Sequence, residues 1–77
     1  MQFHLLNRIE MNPKILCGKP VIKGTRISVE QILAELASGY DMEEISREYD
    51  LAEEDIRAAI TYAYRLVADE EILEVAG

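Results

Sequence analysis

The spacing of apolar residues changes once along this chain, near Ser28. Before that point apolar positions come in short runs broken by turn formers. Arg8-Ile9-Glu10-Met11 alternates polar and apolar, the period of a half-buried strand. Asn12-Pro13 marks a turn, Lys14-Ile15-Leu16 is a brief apolar stretch, and Gly18-Lys19-Pro20 marks a second turn. Val21-Ile22-Lys23 is β-branched and predicted to be extended. Gly24 interrupts it, which predicts a bulge or a positive φ angle, and Thr25-Arg26-Ile27 resumes the strand.

After Ser28 the period becomes helical. Ser28 with Gln31 forms a capping box, and Val29, Ile32, Leu33, Leu36 and Ala37 fall on one helical face. Gly39 is placed to end that helix. Asp41 with Glu44 makes a second box ahead of Met42, Ile45 and Tyr49. Asp50 with Glu53 offers a third box, the alternative being a start at Ala52, which is a poor cap. Ile56, Ala59, Ile60, Ala63 and Val67 define the apolar face of a longer third helix. The segment 69–77 either extends that helix or adds a short turn.

The expected fold is therefore mainly α with a short N-terminal β arm: one domain, with the arm at 1–28, a three-helix bundle at 29–68 and an acidic C-terminal tail at 69–77. The second and third helices, joined by three or four residues around Asp50, have helix-turn-helix spacing. Any small three-helix bundle has similar spacing, so function needs other signals.

Size supplies the first. A chain of 77 residues buries a modest fraction of its surface on folding. One cysteine cannot pair within the chain, and Cys17 and His4 are too few for a structural zinc site, which takes about four ligands. Oligomerisation is the remaining source of stability, so a homodimer or a stable hetero-complex is expected. The arm strands, through Val21, Ile22 and Ile27, are the candidate dimer contacts. A lone cysteine fits a reducing, cytoplasmic setting. Neither a signal peptide nor a membrane span is legible.

Charge divides the chain. Residues 1–40 carry five basic and three acidic side chains, and residues 41–77 three basic and twelve acidic ones, within a net charge of −7. Such asymmetry predicts two surfaces with different partners.

The candidate chemistries narrow quickly. With a single histidine near one end and carboxylates gathered at helix starts, no nucleophile–base constellation is legible, so no enzyme and no cofactor is expected. The stretch Cys17–Ser28 looks like a phosphate loop, but no Lys-Ser/Thr follows Gly24, and Val21 and Ile22 are strand formers. Nucleic acid is the next candidate. The third helix opens on Glu53, Glu54 and Asp55, which would repel a polyanion. Arg57, Thr61 and Arg65 recur every four residues and share a face, although i,i+4 pairing of Arg57 with Glu53 and of Arg65 with Asp69 would occupy the cations. The arm is the better surface: Arg8, Lys14, Lys19, Lys23, Thr25 and Arg26 are the candidate DNA contacts, with Arg57 and Arg65 in support. The tail is the candidate protein-binding segment, because Ile72, Leu73 and Val75 lie among Glu70, Glu71 and other acids, a pattern able to dock in a basic groove.

Several of these residues carry a resemblance. Arg8-Ile9, Asn12-Pro13, the string Gly18-Lys19-Pro20-Val21-Ile22-Lys23-Gly24-Thr25-Arg26-Ile27, Val29, Gly39-Tyr40, Glu43-Glu44-Ile45, Tyr49, Leu51, Glu54-Asp55-Ile56 and Ala59 through Ala63 resemble the bacterial domain-of-unknown-function family number 433. That family is similar to winged-helix and homeodomain-like helix-turn-helix proteins. Its members are proposed to be VapB-like antitoxins of PIN-like nucleases. The resemblance implies a non-enzymatic protein that neutralises a PIN-like toxin and binds promoter DNA. Ala52 and Asp50 depart from the family's usual Thr or Ser and Pro, and both lie in the turn before the third helix. The competing expectations are a stand-alone dimeric regulator that binds DNA and a structural homodimer without a nucleic-acid role.

Overall fold

The computed structural model describes residues 3–76, with side chains described from residue 4 to residue 69. A 3-10 helix, Phe3–Arg8, leads into strand β1, Ile9–Glu10. Strand β2, Val21–Ile22, precedes the helices α1 (Val29–Ala37), α2 (Met42–Tyr49) and α3 (Glu53–Ala76). The architecture is mainly helical with a two-stranded antiparallel sheet near the N-terminus, as the change of period at Ser28 predicts.

β1 and β2 pair with Ile9 opposite Ile22 and Glu10 opposite Val21. The chain then turns back on the other side of β2. Ile22 N–H donates to the Ile27 carbonyl at 2.9 Å, Val29 N–H donates to the Pro20 carbonyl at 2.9 Å, and Val21 bridges Ser28 in antiparallel fashion. β2 thus has backbone neighbours on both edges, and its two β-branched side chains are buried, Val21 at 0% and Ile22 at 2% exposure. Gly24 has φ +82 at the third position of the turn closed by Thr25 N–H to the Ile22 carbonyl, 3.0 Å. The positive φ is as expected, but its setting is a hairpin turn and no bulge, because the strand reverses here.

The first turn region departs from expectation. Asn12 accepts Lys14 N–H on its side chain (2.9 Å) and Ile15 N–H on its carbonyl (2.8 Å), as an Asx turn does. Lys14-Ile15-Leu16 does not extend. Leu16 and Cys17 are left-handed, φ 48 and 58, and Leu16–Gly18 forms a tight 3-10 turn. The N-terminal segment, expected as part of the β arm, is instead the 3-10 helix Phe3–Arg8, which buries Leu5 and packs along α3.

Helix ends follow the capping chemistry. Ser28 Oγ accepts Gln31 N–H at 3.0 Å, but the Gln31 side chain crosses to α2 and does not complete the box. Asp41 and Glu44 form the full reciprocal box on α2. α2 ends on Asp50 in the left-handed region, φ 55. α3 begins at Glu53, the poorer of the two expected starts. Ala52 offers no side-chain acceptor, but Asp55 Oδ2 takes the Ala52 N–H at 3.1 Å and so keeps the return half of a capping box.

The core gathers Ile22, Val29, Ile32, Ile45, Leu51, Ile56 and Ala59. Three expected core positions are not in it: Ala37, Ile60 and Val67 are exposed. On α3 the buried residues among those described are Ile56, Ala58 and Ala59, and the N-terminal 3-10 helix packs against this helix. Ile60 and Val67 face solvent.

Candidate nucleic-acid and protein interfaces

The hairpin presents the arm's charges unevenly. Lys23 and Arg26 flank Gly24 at the turn, both exposed and without an ion pair among the described residues. Lys14 is exposed as well. Lys19 is paired with Glu30 across solvent at 3.1 Å. Arg8 donates to Asp55 Oδ1 at 2.9 Å and ties the arm to the first turn of α3. Thr25 is not a free contact: its Oγ1 donates to the Ile22 carbonyl (2.8 Å) and accepts Ile27 N–H (3.0 Å), holding the hairpin shut. The dimer contacts expected from sequence meet a related objection. Val21 and Ile22 are enclosed by their own chain, and Ile27 packs against the same core.

On α3, Arg57 is exposed and makes no pair with Glu53 among the described residues. Thr61 Oγ1 turns back to the Arg57 carbonyl at 2.8 Å. Arg65, one further turn along, is partly covered. Glu53 and Glu54 stand exposed at the helix start, where they oppose the approach of a phosphate backbone. The tail candidates Glu70, Glu71, Ile72, Leu73 and Val75 have side chains outside the described ones, but the backbone of α3 runs through them to Ala76. The tail is therefore a continuation of the helix.

The apolar surface of α3 was not legible. Ile60, Tyr64, Leu66 and Val67 are exposed at 38%, 55%, 51% and 53%. A signal existed. From Ala58 to Ala68 only Arg65 is charged, so apolar residues occupy more of the helix circumference than one core can cover. Where α3 leaves α1, a groove of about 300 Å³ opens between Pro20, Val29 and Leu33 on one wall and Tyr62, Ala63 and Leu66 on the other. Lys19 and Glu30 stand at its rim.

One polar cluster bridges α1 and α2. Gln31 Nε2 donates to Tyr49 Oη at 2.8 Å, and the Tyr49 hydroxyl donates to Glu35 Oε2. That bond, offset in part by Gln31, holds the Tyr49 hydroxyl above its ordinary range, with desolvation and the charges of Glu35 and Glu48 adding to it. Glu48 is pushed above the usual carboxylate range by a hydrogen bond to Glu35, then by desolvation and by the Glu35 charge. The other Glu35 oxygen, Oε1, is buried without a partner. Among the described residues no three His, Cys, Asp or Glu side chains gather as metal ligands, and no helix is long and apolar enough to cross a membrane.

A short ribbon closed onto three helices, two of them at helix-turn-helix spacing, defines a small helical bundle with exposed helix and hairpin surfaces. The family described as "Protein of unknown function (DUF433)" matches residues 9–63, and the chain belongs to that family. The crystal structure of a DUF433 member protein from Anabaena variabilis ATCC 29413 is similar over 97% of this chain and 74% of that one, at 30% identity and a TM-score of 0.73. No curated protein matches the sequence.

Proposed function

We propose that this chain is a non-enzymatic, antitoxin-like binding protein that acts in the cytoplasm and neutralises a PIN-like nuclease. The observation that carries this reading is the continuation of α3 as one helix to Ala76. Asp69, Glu70, Glu71 and Glu74, with Ile72, Leu73 and Val75 between them, thus lie on helical backbone. A nuclease that binds RNA and divalent metal presents a cationic groove. An acidic helix with apolar anchors is complementary to such a groove in charge and in shape. Co-expression with the nuclease, followed by copurification of the full chain and of a chain lacking residues 69–77, tests this. Loss of the complex and of inhibition on truncation is expected. Retention of both would remove the tail from the mechanism.

Promoter binding is a second reading, favoured by the placement of Lys23 and Arg26 at an exposed hairpin turn. Binding would weaken with salt at a slope of about −0.9 per phosphate contacted. Lys23→Ala and Arg26→Ala should each flatten that slope by about one unit. Lys19→Ala should change it less, since Glu30 already engages Lys19. Absence of binding at low salt would dispose of this reading.

A further inference from the structure

The groove between α1 and α3 has apolar walls and a charged rim. Pro20, Val29 and Leu33 face Tyr62, Ala63 and Leu66 across about 300 Å³, a volume at the lower end of small-molecule sites. The polar atoms at the walls have partners of their own: Ser28 Oγ accepts Gln31 N–H at 3.0 Å, and the Tyr62 hydroxyl donates to Met11 Sδ at 3.9 Å. At the rim, Lys19 Nζ and Glu30 Oε1 stand 3.1 Å apart, and the two side chains are 59% and 75% exposed. An ion pair this open adds little to stability, so both charges remain available to a ligand. Glu30 also lies in the first turn of α1, whose N-terminal amides favour an anion beside it.

Two opposite charges side by side above an apolar groove are complementary to one ligand chemistry: an ammonium and a carboxylate on a single carbon that also bears an apolar side chain. We propose that the groove binds a free α-amino acid with a large apolar side chain, aromatic or branched. Its carboxylate pairs with Lys19 beside the start of α1, its ammonium pairs with Glu30, and its side chain enters between Leu33 and Leu66. A ligand with one charge engages one rim residue and draws it away from the other, which is left without its partner. The end of a peptide is such a ligand, since an N-terminal residue lacks the carboxylate and a C-terminal residue lacks the ammonium. An uncharged apolar ligand gains nothing from the rim. The site is independent of the nuclease and promoter readings, because the isolated chain reports it.

Titration of the full chain with L-phenylalanine, followed by the amide chemical shifts of Val29, Leu33 and Ala63, supplies the test. Saturable shifts with a dissociation constant of about 1 mM or below are expected. L-phenylalaninamide and N-acetyl-L-phenylalanine each keep one charge and should bind about fivefold more weakly. Lys19→Ala should weaken L-phenylalanine by a similar factor and leave the amide unchanged. Glu30→Gln should weaken L-phenylalanine and leave the N-acetyl compound unchanged. Leu66→Glu, at a residue 51% exposed, should abolish binding while the far-UV spectrum stays helical. The absence of saturable shifts up to about 10 mM would overturn the proposal. So would single-charge analogues that bind as tightly as L-phenylalanine, or an L-phenylalanine constant that neither Lys19→Ala nor Glu30→Gln changes.

Discussion

The hairpin and the second half of α3 are both rich in apolar residues, and they treat them in opposite ways. In the hairpin, Val21 and Ile22 have backbone partners on both edges and their own core against their side chains. On α3, Tyr64 and Val67 keep more than half of their surface. The charges differ as well: the hairpin turn carries Lys23 and Arg26, while α3 begins and ends in acids. The comparison separates residues that hold this molecule together from apolar residues that its own core leaves exposed. Apolarity alone does not make that distinction. A residue's place relative to the one small core does.

The sharpest way to break the comparison is to truncate one residue in each region. Ile22→Ala removes a side chain at 2% exposure from the centre of the core and should lower unfolding free energy by about 2–5 kcal/mol. Val67→Ala should cost the folded monomer less than about 0.5 kcal/mol. Urea denaturation of both variants measures the two values. Equal losses would mean that α3 is as integral to the core as the hairpin.

Thr25 refines the hairpin side. Thr25→Val keeps the shape of the side chain and removes both hydrogen bonds that close the turn. A loss of about 1–2 kcal/mol is expected. The same variant discriminates structure from recognition. If Thr25 contacted DNA directly, binding would fall at temperatures where the variant is still folded. With the turn role alone, binding should track the folded fraction.

These two regions also show what was legible in the sequence. The helices were, because capping boxes and turn formers are local: Ser28, Asp41 and Gly39 act on neighbours within four residues. Gly24 was legible as a positive φ for the same reason. Missing were the facts that depend on distant packing. Nothing in the sequence of α3 announces that the N-terminal segment packs along it, and Ile60 and Val67 were assigned to a core that does not reach them. Val21 and Ile22 read as a strand, but whether its edges face solvent or chain depends on the return of Ile27 and Ser28. The candidate cations had the same fate. Arg8 looked free until Asp55, 47 positions away, was brought against it.

That pair ties the end of the N-terminal 3-10 helix to the first turn of α3. Arg8 is 44% exposed and Asp55 16%, so solvent screens much of the attraction. Arg8→Ala should destabilise by less than about 1 kcal/mol, and high salt should mask most of the difference. Asp55 retains the Ala52 N–H in that variant, so the start of α3 is kept. Hydrogen exchange at the amides of Leu5 through Ile9 is the more sensitive probe. Faster exchange confined to this segment is expected, and a global increase would contradict the local role.

The smallest effect belongs to neither region but to the joint between α1 and α2, and only its sign is argued. Glu48 binds its proton more tightly in the folded chain than in the unfolded one, because Glu35 accepts from it and repels its charge. A folded-state value raised in this way gives stability that is fully present below the ordinary glutamate value, about 4.3, and is lost as pH rises through the raised value. The Glu35 and Glu48 carboxyl groups meet across this joint. Glu48→Gln supplies a permanent neutral donor beside Glu35, whose buried Oε1 has no partner. It should therefore raise the thermal midpoint at neutral pH and lose that advantage on acidification toward the ordinary glutamate range. Thermal melts of the two proteins across that window decide the matter. Parallel curves would show that the Glu35–Glu48 contact does not couple protonation to folding. Convergence at low pH would place a mild acid-strengthened clamp between the helices that carry the hairpin on one side and α3 on the other.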